Sequence, residues 1–180
     1  MKTIQEILMS VDSDKHNETE HSYGAFYDQL LELYGRDAEL NILELGVQRG
    51  GSLKAWAEYF PNANIFGVDI EDQRLDKYKD LDRVNFYVGD LRDAINLFTD
   101  MKFDIIIDDS DHKLKTAIWI VQNYSSLLDD NGVLVIEDVQ DPPLWYRYLS
   151  IAMPNNFELE AHDMRHLKGR YDDYIITVNK

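Results

Sequence analysis

Apolar positions along the chain change period near residue 41. Before it, Tyr23, Phe26, Tyr27, Leu30, Leu31 and Tyr34 recur at three- and four-residue spacing, which marks an amphipathic helix, and Gly35 is placed to close it. A shorter helical segment, TIQEILMSV, precedes it, and the polar stretch DSDKHNETEH between the two reads as a loop. After residue 41, short apolar runs take over. NILELG, NIFGVDI, VNFYVGD, FDIIID and VLVIE each have the length and β-branched content of a buried strand. Between them the spacing predicts helices over SLKAWAEYF (stopped by Pro61), over 71–82, near 91–98 and over 113–128. Asn131 and Gly132 form a turn into the fifth strand. Pro142 and Pro143 open a helix over LWYRYLSIAM, and FELEAH and YDDYIITVN read as two closing strands joined by a polar turn around Gly169.

Strand and helix alternating five times imply a parallel sheet with helices on both faces. The closing pair has no long helix between its strands and so adds an antiparallel hairpin. The expected fold is α/β and doubly wound, with a mostly parallel seven-stranded sheet. It forms one domain over 1–180, a helical cap over 1–40 on a core over 41–180. No repeat, linker or low-complexity segment interrupts it.

Composition narrows the function classes. The chain has 180 residues, 44% of them hydrophobic, with a formal net charge of −16 and no cysteine. That charge argues against nucleic acid or an anionic membrane as partner, because both would be repelled. It does not exclude a cationic ligand or a metal. Thiolate metal sites, disulfides and cysteine nucleophiles are excluded. The first residues lack the apolar core of a signal peptide and no run approaches a transmembrane length, so the expected location is cytoplasmic. A homo-oligomer is compatible with the sequence, which does not specify the assembly.

The chemistry gathers where strands end, the edge at which open parallel sheets bind ligands. The five ends carry Glu44 and Gly46, Asp69, Asp90 after Gly89, Asp108 with Asp109, and Glu137 with Asp138. One acid after a strand is ordinarily a solvated or capping group; Asp111, for example, precedes a helix it could cap. Acids on five ends of one edge are not so easily dismissed. ELGVQRGG, with glycines at 46, 50 and 51, is a turn that would admit a ligand to the backbone, although Gln48 holds the middle position of the dinucleotide fingerprint. Asp69 lies where an acid would take two ribose hydroxyls. Nicotinamide and S-adenosylmethionine sites share that feature, but an acidic mouth disfavours a pyrophosphate and suits a sulfonium. Asp109, Glu137 and Asp138 sit on expected neighbouring strands, roughly 4.7–4.9 Å apart. Three carboxylates suit a hard cation, Mg²⁺ or else Mn²⁺ or Ca²⁺.

At these residues the sequence resembles the class I S-adenosylmethionine-dependent methyltransferases, and within them the metal-dependent sugar O-methyltransferases of the mycinamicin and macrocin type. Cephalosporin-hydroxylase-like proteins are related. The likeness begins at SDK (residues 13–15) and HSYGAFYDQLLELY. It continues through ILELGVQRGGSLKAWAEYFPNANIFGVDI to FDIIIDDSDH and VLVIEDV, where the usual DDGSH reads DDSDH. The resemblance implies a Rossmann-like methyltransferase fold. Asp109, Glu137 and Asp138 would hold Mg²⁺, Asp109 sharing in catalysis, and His112 would be the general base. Glu44, Gly46, Asp69 and Asp90 would hold the cofactor, with Gln48, Leu91, Asp108 and Tyr23 close to it. The acceptor would be a hydroxyl of a sugar or another hydroxylated small molecule. Asp14, Lys15, His21, Tyr23 and Tyr27 are placed to touch cofactor or acceptor, and Trp145 and Tyr146 offer a second acceptor wall.

Other readings stand beside this one. A catechol-like or other vicinal-diol metabolite could replace the sugar. A nucleotide-binding module without catalysis would not need the acid set with His112, and a nicotinamide dehydrogenase fits the acidic mouth poorly.

Overall fold

The first apolar run after residue 41 becomes β1 (Asn41–Leu45), buried along nearly its whole length. Such a run suits a strand covered on both faces. In the computed structural model, which describes residues 1–16, 18 and 20–180, it is joined by β2 (Asn64–Asp69), β3 (Val84–Val88), β4 (Phe103–Asp108), β5 (Leu128–Ile136), β6 (Glu158–Asp163) and β7 (Tyr174–Asn179). The sheet order is β3-β2-β1-β4-β5-β7-β6. The first five strands pair parallel, and β7 inserts antiparallel between β5 and β6. The order reverses between β1 and β4, which opens a crevice at their carboxyl ends.

Side chains alternate across the sheet with period two. Ile42, Ile105, Ile107, Val133 and Val135 face one apolar layer. That layer is closed by α1 (Ile4–Leu8), α2 (Gly24–Glu32) and α3 (Gly51–Tyr59). Leu43, Leu45, Ile106, Leu134 and Ile136 face the other. It is closed by α4 (Leu91–Ala94), α5 (Leu114–Tyr124) and α6 (Pro142–Ala152). A single turn, α7 (Arg165–Lys168), ends at Gly169 in the left-handed region and leads into β7. The described residues include no helix long and apolar enough to cross a membrane.

Some expected elements come out differently. The helix over 71–82 reduces to one 3-10 turn, Asp76–Tyr78, in which Tyr78 alone is buried; a charged segment without an apolar face has nothing to dock. The helix near 91–98 is α4 followed by a 3-10 turn at Ile95–Leu97. The helix over 113–128 stops at Tyr124, and Leu128 already belongs to β5. Asn131 and Gly132 therefore lie inside β5, where the register with β4 slips and Asn131 has φ +66°.

Candidate active site

Period two also sorts the acids at the strand ends. Glu44 continues the parity of Ile42, Asp109 that of Ile105 and Ile107, and Glu137 that of Val133 and Val135, so all three turn toward the layer under the N-terminal helices. The ladder is extended to bring them together: Asp109 N donates to Leu45 O, and Glu137 N to Asp108 O. The cation that meets them comes from the N-terminal segment. The Lys15 ammonium is buried and donates to both Asp109 and Glu137, and Glu44 Oε1 lies 3.6 Å away. Tyr27 donates its hydroxyl to the other Glu137 oxygen, and Trp56 Nε1 donates to Glu44 Oε2. Burial by itself would strip Lys15 of its proton. Asp109, Glu137 and Glu44 outweigh it and hold the ammonium charged well above the ordinary range. Burial pushes the Glu44 carboxyl up to about 7 and raises that of Glu137 well above the ordinary carboxylate range, with Lys15 opposing.

Asp138 belongs to the other parity and has different partners. His112 Nδ1 lies 2.9 Å from Asp138 Oδ2, close but off the line of a good hydrogen bond. On the opposite oxygen, His21 Nδ1 approaches at 3.2 Å and Tyr23 donates its hydroxyl. His21 stacks on Tyr23 and also lies 3.0 Å from the fully buried Asp173. Burial raises the Asp138 carboxyl, but His112, His21 and Tyr23 outweigh that and bring it to about 2. The same contact, against burial and with help from Asp109, raises His112 to about 9. Asp111, which precedes a helix it could cap, accepts from Lys113 N and Thr116 Oγ1 at the start of α5. His112 and Asp138 both sit at positive φ, +51° and +54°. Non-glycine residues adopt that region at a cost of order 1 kcal/mol, and such strain gathers at functional sites.

The β1–β3 half of the edge is built from backbone. Asp69 Oδ2 accepts from Val47 N and Gln48 N at 2.8 and 2.9 Å, which accounts for Gln48 at φ +47°. Gly46 has φ +88°, and a Cβ there would lie 2.0 Å from Asp109 O. A Cβ on Gly51 would lie 2.0 Å from Asp12 O. Glycine at these two positions therefore admits other parts of the chain, a purpose the turn's sequence did not separate from ligand approach. Asp90 caps α4 by accepting from Arg92 N and pairs with the Arg92 side chain.

A cavity of about 640 Å³ joins the two halves. Of the residues expected at the site, Gly46, Gln48, Asp69, Asp90, Leu91, Asp109, His112 and Asp138 line it, as do Asp14, Lys15 and His21. Glu44, Asp108, Tyr23, Tyr27 and Glu137 lie outside its lining: Asp108 faces the second layer, holds Ser110 Oγ at 2.6 Å and is raised by burial to about 6. Trp145, on α6, is buried in the second apolar layer, and Tyr146 bonds Leu159 O, so the second acceptor wall expected there does not line the cavity. Gln140, together with Arg170, Tyr171 and Asp172 in the turn before β7, lines the cavity instead. Ile70, 63% exposed, lines the cavity beside Asp69 and offers an apolar contact. The polar turn around Gly169 was visible in the sequence, but nothing local shows that it folds over the strand ends.

Ligand atoms of Asp109, His112 and Asp138 lie within 4.8 Å of one another. Two carboxylates and an imidazole at the mouth of a cavity fit a divalent ion. Glu137, the third expected ligand, is occupied by Lys15 and Tyr27.

A family model described as a methyltransferase domain matches residues 43–139. The chain belongs to that methyltransferase family. It is 33% identical over 135 residues to an 8-demethyl-8-alpha-L-rhamnosyl tetracenomycin-C 2'-O-methyltransferase of Streptomyces olivaceus, covering 67% of this chain and 34% of that protein. It is 34% identical over 133 residues to a mycinamicin VI 2''-O-methyltransferase of Micromonospora griseorubida, covering 66% and 32%. The match thus spans about a third of each relative's length. Among solved structures, the MycE methyltransferase in complex with Mg, SAH and mycinamycin VI superposes with a TM-score of 0.74 at 21% identity, covering 98% of this chain and 54% of that one. The seven-stranded methyltransferase fold is shared.

Proposed function

We propose that this chain catalyses S-adenosylmethionine- and Mg²⁺-dependent O-methylation of a hydroxyl on a sugar or glycan. The observation that carries the reading is the continuous cavity from Asp69 and the Gly46 turn at one end to His112 and Asp138 at the other. On this reading a nucleoside would lie at the Asp69 end, beside His112 as base and Asp109 and Asp138 as ion ligands. The relatives' names and the Mg and SAH of the MycE complex support the same assignment.

When bound, S-adenosylmethionine supplies an electrophilic methyl group, and a divalent ion supplies positive charge against the acceptor oxygen. The chain's own residues do the rest. Asp69, with Gln48 and Leu91, would orient the nucleoside end, and Asp109 and Asp138 would hold the ion. Asp138 faces His112 Nδ1, so Nε2 is the ring atom left to take the acceptor's proton. Gln140 and the Arg170–Asp172 turn would orient the acceptor, and the cavity walls would hold oxygen, methyl and sulfur in line.

Transfer of labelled methyl from S-adenosylmethionine to a panel of methyl glycosides and catechols, with Mg²⁺ or EDTA, tests the reading. Transfer to glycosides that stops in EDTA is expected. Transfer to catechols alone would move the acceptor class, and absence of cofactor binding by calorimetry would end the assignment.

A further inference from the structure

Lys15 is buried at the point where three acids of one parity converge, and its ammonium bridges Asp109 to Glu137. Its seat is built into the surrounding chain. Tyr23 N donates to Lys15 O and His21 N to Asp14 O, tying the two ends of the segment together. The carbonyl of Asp12 packs against Gly51, in space that a Cβ would fill. Lys15 N, in turn, donates to Ser13 Oγ at 3.3 Å. Beside it Glu44 Oε1 is buried without a hydrogen-bond partner. The cluster therefore holds more carboxylate than one ammonium satisfies.

We infer that Lys15 is the resident cation of this cluster, a positioning residue that converges Asp109 and Glu137, and that a divalent ion binds by displacing it from them. The inference rests on the ion assigned under the proposed function. An ammonium and a divalent cation repel strongly at contact range even at the effective dielectric of a protein. Both cannot lie against the same carboxylate oxygens. Once Lys15 withdraws, Glu137 becomes free to join Asp109 and Asp138, and the segment carrying Lys15 shifts with ion loading. A site in which Lys15 is only a structural ion pair would keep Lys15 in place and lose affinity when it is removed.

Calorimetric titration with Mg²⁺ at pH 8 separates the two. Lys15→Met is expected to bind Mg²⁺ about ten-fold or more tightly than the wild type, because a like charge has gone. Lys15→Arg, which keeps the charge, is expected to bind no more tightly than the wild type. In the wild type, reductive methylation read by mass spectrometry should spare Lys15 in EDTA and label it in Mg²⁺. This second measurement decides the matter if Lys15→Met does not fold. Equal or weaker Mg²⁺ binding by a folded Lys15→Met, or Lys15 labelling indifferent to Mg²⁺, would overturn the displacement while leaving the ion site standing. Mg²⁺ binding by neither protein would overturn the ion site together with the inference.

Discussion

The two halves of the carboxyl edge handle the same residue type in opposite ways. On β1–β3, Asp69 and Asp90 are partly exposed and are held by backbone N–H groups, Asp69 by the turn after β1 and Asp90 by the start of α4. On β4–β5, Asp109, Glu137 and Asp138 are packed against the N-terminal segment and receive Lys15, His21, Tyr23 and Tyr27. An exposed carboxylate keeps its water and needs little from the fold. A buried one must be given charge or donors, at a desolvation cost of several kcal/mol. Where a chain accepts that cost and adds positive φ at His112 and Asp138, the arrangement is better explained by chemistry than by stability.

The largest effect should follow loss of His112. His112→Ala is expected to lower turnover by roughly 10²–10⁴-fold with cofactor affinity nearly unchanged, as for a positioned general base. Wild-type turnover in that variant would assign proton removal elsewhere. The pH dependence has a definite sign. The folded pKa of His112, about 9, exceeds the unfolded value of about 6.5. Its contact with Asp138 therefore stabilises fully below about 6.5 and is lost as pH rises through about 9. Asp138, at about 2 in the fold against about 3.9 unfolded, contributes above its unfolded value and loses the contribution as pH falls through 2. An NMR titration in EDTA should show His112 protonated at neutral pH, and Asp138→Asn should bring its midpoint down toward the ordinary histidine value. A midpoint already near 6.5 in the wild type would mean that the contact does not persist in solution.

Next in size is the cost of emptying the buried half. Lys15→Met in EDTA leaves Asp109 and Glu137 without their cation. Removing one partner of a buried ion pair typically costs about 3–5 kcal/mol. Urea unfolding should show a loss of that order, partly recovered by Mg²⁺. A loss under about 1 kcal/mol would mean that Lys15 behaves like an exposed surface pair.

Much of this division was written in the chain, though at different depths. The alternation of short apolar runs with helical patterns carried the sheet, its parallel core and its antiparallel close. FDIIIDD and VLVIED placed Asp109, Glu137 and Asp138 at neighbouring strand ends. Counting by twos along NILE, IIIDD and VLVIE would also have shown Glu44, Asp109 and Glu137 turned toward the same layer. The cation was harder. Lys15 lies 94 residues from Asp109 and 122 from Glu137, and no local period reports a contact of that range. The same holds for Arg170 and Tyr171, whose turn reaches the cavity only because β7 inserts between β5 and β6. The helix expected over 71–82 failed for the opposite reason: its charges suggested solvent, but nothing in it supplied a face to bury.

A smaller effect is expected at Asp69. Asp69→Ala removes the carboxylate that would meet the nucleoside and also releases Val47 N and Gln48 N. Hydrogen bonds to charged groups contribute about 1.5–3 kcal/mol. Calorimetry should show S-adenosylhomocysteine binding weakened by that amount, while Mg²⁺ binding stays at the wild-type level. Equal weakening of both ligands would show that the two halves act as one unit.

The smallest effect should come from Asp90, whose position resembles that of the buried acids in sequence but not in structure. Its carboxylate accepts from Arg92 N at 2.8 Å and pairs with an exposed Arg92 side chain at 3.3 Å. An N-cap aspartate replaced by alanine typically costs about 0.5–2 kcal/mol, and an exposed pair adds little. Because α4 is a single turn, the loss should fall at the lower end of that range and should not depend on Mg²⁺. Asp90→Asn, which keeps a capping oxygen, should recover most of it in urea unfolding. Recovery by asparagine identifies Asp90 as a cap held by geometry. If asparagine fails to recover it, the charge itself matters there, and the contrast between the two halves of the edge would narrow to one of burial alone.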